Sequence, residues 1–213
     1  LETLIANLIE KKQPDKLNRF FDNDGKKKQS YDIAIVLRRW FPQARNHRLW
    51  NDPDQFHHVI RKGCWPLSAY STWFLFHLAA AGKHLQERSA LALLGDTFER
   101  YQKHMVGDET GLCLAPVDLW SDSLQHDLIT SEEGGQQGSI THSYASVVAR
   151  HGALLEAELQ RLLRAVVLAS KMGLKATNRF DAIKALSELA GLTIVIADKG
   201  IQQLQDEYNV LEW

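Results

Sequence analysis

The stretch GCWPLSAYSTWFLFHLAAAGKHLQERSALALL, residues Gly63–Leu94, decides the fold of this chain. Pro66 suits the first position of a helix, because a backbone N–H at that position has no hydrogen-bond acceptor within the helix and proline lacks this N–H. After it, apolar residues recur in steps of three and four, at Leu67, Tyr70, Phe74, Leu78 and Ala81. This spacing predicts a helix with one face towards a core.

A second helix is predicted directly after the first. Gly82 is a suitable C-terminal stop, and a short polar turn follows it. The charged cluster Gln86-Glu87-Arg88-Ser89 then stands at the N-terminus of a helix whose inner face carries Leu91, Leu94, Phe98 and Tyr101. The stretch therefore predicts a helical hairpin.

The hairpin resembles a segment of the large P-loop ATPases of BREX-type bacterial phage-defence systems and their relatives. In those proteins a Pro-Leu helix is followed by a helix with a Gln and Glu-Arg-Ser pattern. The tail Leu162–Trp213 resembles the winged-helix region that follows there, so the resemblance covers the chain from about Leu49 to its end. It implies a mainly α fold, with a helical lid-like region over 1–150 and a winged-helix domain over 151–213. Two glycines and a proline within 106–116 and the glycine-rich stretch 131–139 predict a loop or linker at 106–140.

The residues of the last third predict the same module on their own. One amphipathic helix ends at Gly173, a second runs from an Asn178 cap to Gly191, and a third spans Ile194 to Tyr208. Val210–Trp213 then alternates like a β-strand, and another short strand is predicted at 112–115. Three helices, a tight turn and a strand are typical of a winged helix.

Composition and charge limit the function. The net charge of −1 over 213 residues gives no general attraction to nucleic acid or anionic membrane. No apolar run reaches the ~18 residues of a membrane span, so we expect no membrane partner. Cys64 and Cys113 have no CxxC spacing, which favours a reducing cytoplasm. A start without Met, already in helical periodicity, predicts a piece excised from a longer protein; a processed complete protein is the alternative.

Three local patterns are of kinds that can bind phosphate or metal ions. In each case, however, the residues favour an ordinary structural role. The run Lys26–Lys28 predicts a solvated loop, because no arginine or aromatic side chain accompanies it. The stretch 22–25 begins like a calcium loop but lacks the closing glutamate. His57 and His58 are adjacent on a predicted helix, so both cannot face inward. Because helical ligand pairs need a spacing of three or four, we expect no metal site.

Catalytic motifs are absent from the sequence. It has no Walker A motif, no G-x-S-x-G elbow and no H-E-x-x-H motif. We therefore expect neither catalysis nor a cofactor in this chain alone. The resemblance implies that ATP and Mg²⁺ are bound by the full-length protein.

The resemblance also implies a role for Arg88. The helical lid of such ATPases can carry an arginine, often called sensor 2, that reaches the γ-phosphate, and Arg88 is the matching position. The alternative is that Arg88 pairs with Glu87 or a nearby loop and fixes the hairpin.

DNA binding through the third helix is the usual function of a winged helix. Here that helix carries Lys199 against three carboxylates, which favours a structural or protein-contacting role. A basic alternative patch outside the third helix consists of Lys171, Lys175, Arg179 and Lys184.

Two hypotheses of different classes follow. The first is a non-catalytic fragment, lid plus winged helix, of a cytoplasmic P-loop ATPase. It would couple nucleotide state to other parts of the parent ATPase, to protein partners in a defence complex, or to DNA. The second is a free-standing helical DNA-binding or transcription-related module. The gene distinguishes the two hypotheses. The first predicts a reading frame that extends upstream through a Walker A motif, and the second predicts one that begins near Leu1.

Overall fold

The N-terminal third of the chain is a series of short helices. A computed structural model describes residues 1–80, 87–102, 113–133 and 139–210; of residues 79, 80 and 87–89 it describes the backbone only. The series consists of α1 (Glu2–Leu8), α2 (Pro14–Phe21), α3 (Asp24–Trp40), a 3₁₀-helix (Pro42–Asn46), α4 (Arg48–Asn51), α5 (Pro53–Gln55) and a π-helix (Phe56–Gly63).

Helix α3 includes the lysine run Lys26–Lys28, for which the sequence predicts a loop. Asn23 caps this helix, since its Oδ1 accepts a hydrogen bond from the N–H of Lys26 at 2.9 Å. Asp24 in the first turn adds a favourable charge at the positive end of the helix dipole. The loop prediction was wrong because it rested on the charge of the three lysines and did not consider that Asn23 can cap a helix that contains them.

Helix α6 (Ala69–Ala80) lies in the middle of the core. The sequence predicts one apolar face, yet all residues from 69 to 75 are buried. Ser71 and Thr72 are buried too, because their hydroxyl groups donate to the carbonyl oxygens of Leu114 and Ser68, at 2.6 and 3.2 Å. A helix that is buried all round has neighbouring elements on every side.

Aromatic side chains from the N-terminal series surround Trp73 of α6. Its ring centroid lies 5.0 Å from that of Trp50 and 6.3 Å from that of Phe41. Within α6 itself, Phe76 stacks on Trp73 at 5.4 Å. The N-terminal helices are therefore anchored on α6 by edge-to-face and tilted ring contacts.

The start of α6 lies three residues after Pro66, which the sequence predicts as its first residue. Ser68 caps the helix, because its Oγ accepts a hydrogen bond from the N–H of Ser71 at 3.0 Å. Leu67 forms an isolated parallel bridge with Leu114. The strand predicted at 112–115 is reduced to this bridge within the described residues.

Helix α7 (Glu87–Tyr101) packs on α6, as the predicted hairpin requires. The predicted Gly82 stop and the polar turn lie outside the described residues. Its buried stripe consists of Ala90, Leu93, Leu94 and Thr97. The sequence instead predicts the stripe Leu91, Leu94, Phe98 and Tyr101. Leu94 belongs to both stripes, and Leu91, Phe98 and Tyr101 are partly buried against the core, so the inner face is wider than predicted. Thr97 can be part of it because its hydroxyl donates to the carbonyl oxygen of Leu93 at 2.7 Å.

The loop or linker predicted over 106–140 contains a helix. After a 3₁₀-helix (Pro116–Leu119), α8 spans Asp122–Glu133 and buries Leu124 and Leu128; α9 then spans Ile140–His151. The sequence did not predict α8 because its buried face has only two apolar residues, which is too weak a periodic pattern, and because a glycine-rich stretch follows it. That stretch, residues 134–138, lies outside the described residues.

Three helices form the C-terminal part, as the sequence predicts: α10 (Ala157–Lys171), α11 (Arg179–Ala190) and α12 (Ile194–Asp206). Asn178 caps α11, with its Oδ1 accepting from the N–H of Asp181 at 2.9 Å, and Gly191 ends it at a φ of 65°. Helix α12 crosses close to α10 at Gly200, where an added Cβ would lie 2.5 Å from Cδ1 of Leu162. The predicted Asn178 cap and Gly191 stop are confirmed.

The β wing of a winged helix is not shown. The described ranges contain no strand, Val210 is irregular, and residues 211–213 lie outside the description. The observed C-terminal module is thus a three-helix bundle with a tight turn between α11 and α12.

One cluster of buried apolar side chains extends across residue 150, where the sequence divides the chain into two domains. It includes Leu75 of α6 and Leu186 of α11. At its edge, Nε1 of Trp40 donates to the Asp181 carboxylate at 2.9 Å and joins α3 to α11. None of the helices in the described ranges combines the length and the apolar character needed to cross a membrane.

A buried ion pair joins α8, α9 and α10. Nζ of Lys171 lies 2.6 Å from Oε1 of Glu132, and both side chains are buried. The carboxylate also accepts from the backbone N–H groups of Thr141 and His142, at 2.7 and 3.1 Å, in the first turn of α9. Burial alone raises the pKa of Glu132, but Lys171 and these N–H donors lower it from 4.5 to about 2. This stabilisation is therefore complete above about pH 4.5 and is lost as the pH falls towards 2.

Lys171→Met should lower the free energy of unfolding by about 3 kcal/mol, because it leaves the buried Glu132 carboxylate without its cation. Urea unfolding at pH 7 measures this change. Lys175→Met is the matched control, since the Lys175 side chain is exposed and its loss should change stability by at most about 0.5 kcal/mol. Equal effects of the two substitutions would contradict the buried pair.

Candidate functional site

The second helix of the central stretch carries Arg88, to which the family resemblance assigns a phosphate contact. Because α7 begins at Glu87, Arg88 occupies the first turn of this helix. The side chain of Arg88 lies outside the described part of the chain. Its phosphate contact and its alternative pairing with Glu87 both stay predictions.

The C-terminal end of α7 is connected to α10 through Asp118, in the 3₁₀-helix Pro116–Leu119. Oδ1 of Asp118 accepts hydrogen bonds from the hydroxyl of Tyr101 at 3.0 Å and from Nη1 of Arg161 at 2.9 Å. Oδ2 accepts from the N–H of Ala115 at 2.8 Å, which fixes the turn. One buried carboxylate thus accepts hydrogen bonds from side chains of two helices and from a backbone N–H of its own turn.

Two arginine side chains extend this connection. Arg100 of α7 donates to the carbonyl oxygens of Asp118 and Trp120, at 3.1 and 3.0 Å. Nε of Arg161 donates to the carbonyl oxygen of Ala190 at 2.8 Å, and so satisfies an acceptor at the end of α11. We name the set Arg100, Tyr101, Asp118 and Arg161 the Asp118 junction.

Electrostatics keep the junction in its hydrogen-bonded form at neutral pH. Burial, followed by the charge of Asp118, raises the pKa of Tyr101, so its phenol stays protonated and donates. The sequence analysis missed these residues because they come from three separate elements that no local spacing connects.

The basic patch predicted for nucleic acid does not form with all four residues. Lys175 and Arg179 are exposed and Lys184 is half-buried, but Lys171 is buried against Glu132. Nη2 of Arg179 lies 3.7 Å from the carboxylate of Asp198, which offsets part of its charge. Lys171 therefore does not contribute to an exposed patch, and nucleic-acid binding by the other three residues stays a prediction.

The exposed start of α12 is apolar. Val195 and Ile196 are 74% and 43% exposed, and the exposed Asp198 follows in the same turn of the helix. In helix-turn-helix modules the N-terminal residues of this helix contact base edges. Valine and isoleucine cannot hydrogen-bond to bases, and a carboxylate repels phosphate. The surface favours a protein contact over DNA.

Asp22, His57 and His58 form a second polar group, at the contact between α2 and the π-helix. One potential ligand atom from each lies within 4.8 Å of the other two. His57 is buried and His58 exposed, so the prediction that only one of them faces inward is confirmed. The expectation of no metal site rested on helical spacing alone, and this geometry calls it into question.

Comparisons of the chain with protein-family models, with curated proteins and with solved structures give no match. The fold alone describes the class of protein: a buried helix, α6, packed against the partly exposed α7, which a polar junction joins to a three-helix bundle with an apolar exposed end.

Asp118→Ala should lower the free energy of unfolding by about 2–3 kcal/mol, because it leaves Arg161 and the N–H of Ala115 without their acceptor. Asp118→Asn keeps an acceptor oxygen, so it should lower the free energy of unfolding by less than Asp118→Ala does. Asp32→Ala, at an exposed position within α3, is the control and should be nearly neutral. Denaturant unfolding compares the three; a neutral Asp118→Ala would show that the junction does not hold the helices.

Proposed function

We propose that this chain is the lid and winged-helix-like part of a cytoplasmic P-loop ATPase, and that it couples nucleotide state to a partner protein. ATP and Mg²⁺ would bind to the nucleotide-binding core elsewhere in the parent protein. The chain alone should not bind ATP tightly, since phosphate binding needs a glycine-rich loop, a lysine and a magnesium ligand together.

The observation that carries this proposal is the Asp118 junction. Helix α7 has 15 residues, which corresponds to a length of about 22 Å. Arg88 stands at its N-terminal end, and Arg100 and Tyr101 stand at the junction end. A phosphate contact that shifts the start of α7 would move a rigid helix, and the Asp118 junction would pass that movement to α10.

The apolar start of α12 supports a protein as the partner at the other end. The alternative, a free-standing DNA-binding module, has less support, because its basic patch loses Lys171 and the start of α12 exposes two apolar side chains and a carboxylate, which repels phosphate. The phage-defence setting rests on the sequence resemblance of the hairpin alone.

In the full-length parent protein, Arg88→Ala should lower ATP turnover by about tenfold or more, because an arginine that contacts the γ-phosphate stabilises charge in the transition state. Arg88→Lys should stay impaired, since lysine keeps the charge but loses the planar fork. Steady-state ATP hydrolysis measures both variants.

Arg48→Ala is the matched control, because Arg48 is an exposed arginine at the first residue of another helix. It should leave turnover unchanged. Unchanged turnover in Arg88→Ala would contradict the sensor role, and full activity of Arg88→Lys would indicate a simple ion pair with Glu87.

A further inference from the structure

Three side chains with metal-binding atoms meet where the end of α2 contacts the π-helix. Asp22 directly follows α2, and His57 and His58 are the second and third residues of the π-helix. One donor atom from each lies within 4.8 Å of the other two. Two imidazoles and a carboxylate suit zinc and related divalent first-row metals.

The hydrogen bonds of His57 leave one ring nitrogen free to bind an ion. The single hydroxyl proton of Ser30 is donated to the carbonyl oxygen of Lys26 at 3.0 Å. Oγ of Ser30 therefore accepts the proton of His57 Nδ1, which lies 2.8 Å away. This fixes the tautomer in which Nε2 carries the lone pair.

Nε2 of His57 is buried and has no hydrogen-bond partner among the described residues, and the residue as a whole is only 1% exposed. A buried acceptor without a donor is costly and uncommon in a folded protein. Histidines that bind metals show this arrangement: one ring nitrogen donates to a fixed acceptor and the other faces the ion.

We propose that Asp22, His57 and His58 bind one Zn²⁺ ion, with Nε2 of His57 as the buried ligand. A tetrahedral ion with bonds of about 2.1 Å holds its ligand atoms roughly 3.4 Å apart. Asp22 and His58 are exposed, so their side chains can rotate the short distance that this requires. Water fills the fourth position on the exposed side.

Lys62 competes with the ion for the same carboxylate. Its Nζ lies 2.7 and 2.9 Å from the two oxygens of Asp22, one turn of the π-helix after His58. This ammonium group neutralises Asp22 when no ion is bound and repels a divalent cation that approaches. Zinc binding therefore requires Lys62 to swing away, which its partly exposed side chain permits.

The test is isothermal titration of the 213-residue chain with zinc chloride in a buffer that does not chelate metals. One ion per chain should bind, with an affinity in the micromolar range or tighter. Asp22→Asn and His58→Ala should each weaken binding about tenfold or more; both positions are exposed, so the fold should be retained. His126→Ala, at an exposed histidine of α8, is the matched control and should bind as the parent does.

Lys62→Met gives a result in the opposite direction. Removal of the competing ammonium group should tighten zinc binding by about tenfold. Visible absorption of a bound cobalt ion should report tetrahedral coordination in the parent chain and lose intensity in His57→Gln. No binding, binding unaltered by both Asp22→Asn and His58→Ala, or weaker binding in Lys62→Met would each overturn the proposal.

Discussion

The burial of helix α6 on all sides is the constraint on which the rest of the fold depends. A helix with one apolar face can lie at the surface, but Trp73, Phe74 and Leu75 point in different directions and are all buried. Each such side chain contributes about 2 kcal/mol or more when it is removed from water. The N-terminal aromatic cluster, α7, the segment around Leu114 and α11 cover different sides of α6, so one helix positions elements from the whole length of the chain.

The sequence predicts correctly those features that depend on neighbouring residues. The Asn178 cap and the left-handed Gly191 stop lie where the pattern places them, because a cap or stop involves residues within one turn of each other. The predicted apolar faces of α6 and α7 are incomplete for a physical reason. Ser71, Thr72 and Thr97 are polar in composition, yet each can be buried once its hydroxyl bonds to a backbone carbonyl.

The candidate sites show the same limit. The place of Arg88 in the first turn of α7 follows from the local pattern, whereas the partners of Asp118 and Lys171 lie in distant parts of the chain. The rule that helical ligands need a spacing of three or four excluded His57 and His58. The zinc site that we propose would take its third ligand, Asp22, from outside the helix and would use adjacent residues of a π-helix. No sequence spacing contains that information.

Amide hydrogen exchange tests most directly whether α6 organises the whole chain. If it does, the amides of α6, α10 and α11 should exchange only through global unfolding, with one common free energy equal to that from denaturant unfolding. The contradictory result would be lasting protection of α10 and α11 under conditions in which α6 has already exchanged. That outcome would mean that the C-terminal helices fold as an independent unit and that α6 is only their neighbour.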